Sequence, residues 1–359
     1  MTMADTDNGE PETKKTRLEV SEGALFGIGN PLLDISANAN EEFLKKYDLK
    51  ANNAILAEEK HLPMYKDMET TFDVEYIPGG ATQNSFRVAQ WILDKPGVST
   101  FFGCIGDDEF GKRLSEGMQK AGSTARYLIN EEIPTGSCAC LITGSNRSLC
   151  ANLAAANHYK KDHLTLPENW AYVEKCGVIY SAGFHLTVAP DAMIELGKHA
   201  AEKNKIFCTN LSAPFLSQFF KEPQMQLMPY VDYLFGNETE AAVFAKEQEM
   251  GTEDLGEIAL KAAALPKENK ERERIVVITQ GDKPTIVASG GKITEYPILP
   301  VKAEDILDTN GAGDAFVGGF LSQLAQGKDI EKCVQCGHYA ANYIIQQSGT
   351  TMVDKANFE

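Results

Sequence analysis

The sequence predicts an α/β fold: a mostly parallel sheet flanked by helices on both faces, with a small β-rich lid. Three observations carry that expectation. Apolar runs at 25–29, 100–106, 177–184, 205–212, 233–237 and 274–281 read as strands, and most are continuously apolar, as strands covered on both faces are. Helical periodicity occupies the intervals, at roughly 84–94, 110–121, 190–203, 238–248, 253–264, 313–326 and 330–346, and strand–helix alternation implies parallel neighbours. Two segments, about 34–78 and 134–154, lack that order and read as the lid.

The opening MTMADTDNGEPETKKTRLEV is polar, with no apolar core behind a charged start. Residues 1–22 read as a disordered tail, and KKTR is too short for a targeting signal. Residues 23–33, 79–133 and 155–359 are then the large domain. Its first strand runs into GIGNPLLD (27–34), which begins like a dinucleotide loop. Leu32 fills the third glycine position, however, and Pro31 opposes a helix start. What remains is Asn30 and Asp34 at the mouth of the sheet, where such folds bind ligands, or simply a polar turn.

PGGATQNSFRVAQ (78–90) sets Gly79 and Gly80 just before a helix, as a hinge to the lid or an ordinary tight turn. Asn84, on the first helical turn, is a candidate hydroxyl binder. GDDEFGKR (106–113) has the glycine and lysine spacing of a phosphate loop. Arg113 replaces the Ser/Thr that would hold magnesium, and three acidic residues would repel phosphate, so that function is rejected. SCACLITGSNRSLCANL turns at Gly144-Ser145-Asn146 as a lid hairpin. It carries Arg147, which is solvated in the open and able to clamp a phosphate if the lid closes.

GNETEAAVF (236–244) starts a helix at a strand end. Asn237 and Glu240, three apart, suit a hydrated magnesium ion or a helix cap. TIVASGGKITEYPIL is a second hairpin, turning at Gly290-Gly291. CVQCGH has zinc or redox spacing, but no second Cys/His pair lies at a zinc-like distance and Gly337 breaks the haem pattern. A helical cysteine pair is the reading.

DTNGAGDAFVGGF (308–320) joins a glycine turn to a helix start with Asp314 inside the first turn. Helix capping is one reading. The other is an anion hole, with free amides at Ala312, Gly313 and Asp314 and a carboxylate placed to take a proton from an attacking hydroxyl.

Composition narrows the partners. A net charge of −17 argues against nucleic acid and anionic membranes. No apolar run approaches the ~18 residues of a membrane span. The eight cysteines sit in apolar segments and read as reduced, buried thiols.

DTNGAGDAFVGGF and PGGATQNS resemble the two signatures of the ribokinase-like sugar and nucleoside kinases. The match continues through LFGIGNPLLDISA, TFFGCIGDDEFG, NRSLCANLAAAN, MPYVDYLFGNETEAA and GHYAANYI, from about residue 24 to the C-terminus, and is to the branch that phosphorylates adenosine. The resemblance implies the ribokinase-like fold, transfer of the ATP γ-phosphoryl to the adenosine 5′-hydroxyl, and Mg2+ as cofactor. It makes Asp314 the base, with amides of Gly311, Ala312 and Gly313 holding the developing charge and Arg147 joining on closure. Asn30, Asp34, Gly80 and Asn84 would hold the ribose. Leu56, Leu149, Ala151, Leu153 and Phe215 would wall the adenine, and Gly79, Ala81, Cys138 and His185 would also serve the nucleoside. Asn237, Thr279, Gly281, Asn310 and His338 would serve ATP, and Asn237 with Glu240 the magnesium. Mammalian-type members carry Ser at the Ala81 position and an aromatic at His185. The lost hydroxyl and a ring able to titrate predict weaker or broader base selection. A kinase of another nucleoside or sugar, or a non-catalytic nucleotide-binding module, are the alternatives. A monomer in the cytoplasm, with a nuclear pool left open, completes the expectations.

Overall fold

The computed structural model describes residues 20–51, 53–144 and 146–358, without the side chains of Asn146 and Arg147. The expected tail lies outside the described residues except for its last three positions. There Val20 is buried and its carbonyl accepts from Lys95 Nζ at 2.8 Å, so the fold begins before residue 23.

The strands, in chain order, are β1 (Leu25–Ile28), β2 (Leu32–Asn38), β3 (Ala54–Leu56), β4 (Glu75–Gly79), β5 (Ser99–Gly106), β6 (Thr124–Asn130), β7 (Ser137–Thr143), β8 (Asn146–Asn152), β9 (Val178–Ser181), β10 (Ile206–Asn210), β11 (Tyr233–Asn237), β12 (Ile275–Gln280), β13 (Lys283–Ser289) and β14 (Lys292–Tyr296). Nine form one sheet in the order β14-β13-β12-β11-β10-β9-β1-β5-β6. It is parallel from β12 to β6, and the hairpin β13–β14 closes one edge antiparallel.

The central strands are apolar throughout because helices cover both faces. Phe26, Ile28, Phe102 and Cys104 enter one core, while Leu25 and Phe101 enter the other. Each buried phenylalanine of this kind contributes about 1.5–3 kcal/mol. Edge strand β6 escapes this logic. Its TARYLIN is only half-buried, so it lacks the apolar run that marks the interior strands. Helices at Pro167–Lys175 and Pro214–Phe219 were also not legible as periodic segments.

The other five strands form a second sheet, β3-β8-β7-β2-β4. Its faces alternate as strand geometry requires. Ile35, Ala37, Ala139 and Leu141 pack under the lid's own helices Glu41–Lys46 and Leu62–Thr71, against Phe43, Leu44, Met64 and Met68. Leu32, Cys138, Leu149 and Ala151 lie on the opposite face. The chain passes from β1 to β2 through Gly29–Pro31 alone and returns from β4 into the helix Ala81–Leu93 through Gly80. Gly80 has φ +95°, and a Cβ there would stand 2.4 Å from the Asn30 carbonyl, so the crossing requires glycine.

Candidate active site

A cavity of about 300 Å³ lies between the two sheets. Its floor is the C-terminal ends of the large sheet's strands, which deliver Asn30 after β1, Ala182 after β9, Asn210 from β10 and Asn237 from β11. Its roof is the polar-and-apolar face of the lid sheet, through Leu56, Leu149, Ala151 and Leu153. One wall is the turn before the helix Ala312–Leu324.

That turn is not capped by a side chain. Gly311, at φ +77°, is the N-cap residue, and a Cβ on it would meet Thr350 Oγ1 at 2.2 Å. Asp308 holds the approach, accepting from Asn310 N at 2.6 Å and from Gly349 N at 2.8 Å. The helix therefore starts with amides that no cap residue satisfies. Ala312 N donates to the Thr309 carbonyl at 3.3 Å, which corrects the expectation that this amide is free. Gly313 faces open space, with nothing within 4 Å of an added Cβ.

Asp314 lies on the first turn of this helix and reaches the cavity. Asn84 Nδ2 donates to its Oδ2 at 3.1 Å, and Ser85 Oγ donates to its carbonyl at 2.9 Å, tying the two helix starts together. Burial pushes the Asp314 carboxyl up to about 7; the Asn84 bond pulls it down and Glu240 adds repulsion. Asp34, on β2, is pushed up to about 8, first by burial and then by the charge of Asp314, with the Arg87 guanidinium opposing. Arg87 donates to the Pro78 carbonyl at 2.7 Å.

Asn237 and Glu240 form a reciprocal capping box. Glu240 N donates to Asn237 Oδ1 at 2.8 Å, Asn237 N to Glu240 Oε2 at 3.0 Å, and Asn237 Nδ2 to Glu240 Oε1 at 2.9 Å. The cap reading of this motif is thus realised. It still fits a hydrated cation, because each Glu240 oxygen accepts one bond and keeps a lone pair on a cavity wall. Burial lifts Glu240 to about 7, so nearby positive charge would favour its ionised form.

Most predicted residues meet here: Asn30, Asp34, Leu56, Gly80, Ala81, Asn84, Cys138, Leu149, Ala151, Leu153, His185, Phe215, Asn237, Glu240, Thr279, Asn310, Gly311, Gly313 and Asp314 all line the cavity. Four do not. Gly79 lies beneath Asp34, whose carboxyl would be 2.3 Å from a Cβ there. Gly281 is in the β12–β13 turn at φ +58°. Ala312 has its amide engaged, as described. His338 is buried, sharing a hydrogen bond with Thr285 at 2.8 Å and packing on Phe316. Arg147 pairs with Ile142 in the β7–β8 hairpin, and its side chain lies outside the described residues.

His185 also departs from expectation. It is fully buried, and its Nδ1 meets Asn30 Oδ1 at 2.6 Å. An amide oxygen only accepts, so Nδ1 carries the proton. Burial drops this imidazole to about 3, so it stays neutral rather than titrating. Sequence reasoning missed Phe184, 6.2 Å from Phe215 between ring centres, and the floor residues Asn210 and Ser212. The signal was present, since each lies at or just beyond a strand's C-terminal end.

The other sequence motifs resolve structurally. Asp108 caps its helix, accepting from Gly111 N at 2.8 Å and Thr135 Oγ1 at 2.6 Å. All eight cysteines are free and buried. No helix among the described residues is long and apolar enough to cross a membrane.

Residues 41–356 match the model of the pfkB family carbohydrate kinases. The chain is 53% identical over 337 residues to adenosine kinase 2 of Arabidopsis thaliana, covering 94% of this chain and 98% of that one. It is 47% identical to an adenosine kinase of Schizosaccharomyces pombe, covering 91% and 96%. The solved Anopheles gambiae adenosine kinase, in complex with P1,P4-di(adenosine-5) tetraphosphate, superposes with a TM-score of 0.92 at 49% identity, covering 94% of this chain and all of that one. Schistosoma mansoni adenosine kinase with 2-fluoroadenosine gives a TM-score of 0.90 at 38% identity, over 94% and 99%.

Proposed function

The chain belongs to the pfkB family of carbohydrate kinases, and from that premise we infer that it transfers the γ-phosphoryl group of ATP to the 5′-hydroxyl of adenosine, giving AMP and ADP. One observation carries the chemistry: a carboxylate, Asp314, on the first turn of an uncapped helix, inside a cavity shared by both sheets. The nucleoside lies under the lid. Leu56, Leu149, Ala151 and Leu153, with Phe184 and Phe215, offer an apolar slot for a base, which a bare sugar would not use. Asp34, Asn30 and Asn84 face the ribose. Ala81 brings no hydroxyl to this wall.

Asp314 accepts the proton of the 5′-hydroxyl as that oxygen forms its bond to the γ-phosphorus and the bond to ADP breaks. Asn84 orients the carboxylate from the neighbouring helix. The amides of Gly311 and Gly313, at the positive end of the helix Ala312–Leu324, meet the charge on the transferring group. Asn310 and Thr279 lie on the donor's side. Mg2+, held through water by Asn237 and Glu240, would neutralise phosphate charge. Arg147 joins that group as the lid closes. The lid comes from this chain itself, which supports a monomer. Eight reduced cysteines and the net charge of −17 support a cytoplasmic enzyme free of nucleic acid and membrane.

The test is coupled ADP release with MgATP and adenosine, inosine, guanosine, ribose or fructose. Adenosine is the expected acceptor. Asp314→Asn should lower kcat by about 10²–10⁴-fold, the usual worth of a positioned base. Turnover of another acceptor in preference would overturn the substrate, and none at all would favour a binding module.

A further inference from the structure

We propose that the roof of this cavity is also a site for a thiophilic divalent cation of the zinc type, built from Asp34, Cys138 and Cys140. Parallel pairing of β2 with β7 sets Asp34 opposite Cys138, and strand alternation puts Cys140 on the same face two residues on. One carboxylate oxygen and the two sulfurs all lie within 4.8 Å of one another. Among the described residues no other three His, Cys, Asp or Glu side chains gather this way.

Tetrahedral zinc, with bonds of about 2.0–2.3 Å to oxygen and sulfur, sets its ligands roughly 3.3–3.8 Å apart. Small χ1 rotations close the difference. Both sulfurs make only long hydrogen bonds, which a metal ion could replace. Cys138 Sγ lies 3.9 Å from the Ala139 carbonyl, and Cys140 Sγ lies 3.8 Å from the Cys138 carbonyl and 3.9 Å from Asn310 Nδ2. Three protein ligands leave a fourth position facing the cavity for water. Two thiolates and one carboxylate select zinc or cadmium over magnesium, which takes oxygen ligands, so MgATP does not compete for the site. On binding, the two S–H bonds are replaced by sulfur–metal bonds and both protons pass to solvent.

The consequence for activity rests on the reading of Asp34 as a ribose partner. A cation on that carboxylate excludes the nucleoside, so zinc inhibits competitively with adenosine and independently of MgATP. Binding itself does not depend on that reading.

The experiment titrates the full-length chain, without nucleotide, with Cd2+ and follows thiolate-to-metal absorbance. One equivalent is expected, displaced by adenosine. Cys140→Ala should lose that equivalent while retaining turnover, and should raise the Zn2+ concentration for half-inhibition at least about tenfold. Cys333→Ala, in the helical pair with Cys336, should change neither. No stoichiometric band, or a band that persists in Cys140→Ala, would each overturn the site, and a band that adenosine leaves in place would overturn the competition with the nucleoside. The displacement arm needs only the wild-type chain, so it stands even if a variant fails to fold. Turnover of adenosine measured without Cd2+ separates failure of this proposal from failure of the substrate assignment.

Discussion

At the scale of single residues, the site is a set of carboxyls held out of water. Asp314 works as a base only when ionised, and its carboxyl is lifted to about 7. The Asn84 amide favours the ionised form by donating to it. Removing that donor therefore raises the carboxyl further. In Asn84→Ala the acid limb of the kcat–pH profile is expected to move to higher pH, with kcat at acid pH falling more than kcat at alkaline pH. A uniform loss across pH would mean that Asn84 only binds ribose. His185 shows the limit of reading residues by type. As a sequence letter it is a titratable ring beside a base. In place it is a neutral donor to Asn30, because its surroundings exclude water on every side.

Among the elements, the turn before the helix Ala312–Leu324 decides whether amides face the cavity. Gly311 has a left-handed φ and no room for a Cβ. Gly311→Ala should cost about 1–2 kcal/mol of stability from the backbone alone, with kcat reduced by about 10²-fold as the amides shift. Adding Thr350→Ala relieves the contact but not the dihedral, so only part of the stability should return in thermal melts. Full rescue would show that crowding, not backbone geometry, demands glycine. The same element shows how a motif can satisfy two readings. Asn237 and Glu240 cap their helix completely and still present lone pairs to the cavity. Edge strand β6 marks the opposite case, a regular element whose exposure erased its pattern.

For the whole molecule, the buried carboxyls set a pH dependence of folding. Asp34, Asp314 and Glu240 are raised to about 8, 7 and 7 from their ordinary values of 3.8 for aspartate and 4.5 for glutamate. The folded chain then holds protons that the unfolded chain has lost, and stability falls as pH rises. Half-buried His163 and buried His185, His199 and His338 are lowered from 6.5 and oppose this only in acid, where the unfolded chain protonates them. Between pH 6.5 and about 8 the carboxyls act alone, and Tm is expected to decline across that window. Asp314→Asn removes one such carboxyl and relieves Asp34, so its decline should be shallower. Equal slopes for both proteins would refute the assignment. The sequence by itself determined the interior strands, most of the helices between them and the glycine turns. These follow from apolar runs, periodicity and local backbone freedom, all short-range properties of the chain. Only the tertiary structure decided that Asn84 serves Asp314, that His185 is neutral, that His338 belongs to the core, and that Asp34 stands beside two thiols. Each of those facts depends on residues far apart in sequence meeting across the two sheets, where burial and pairing rather than residue type set the chemistry.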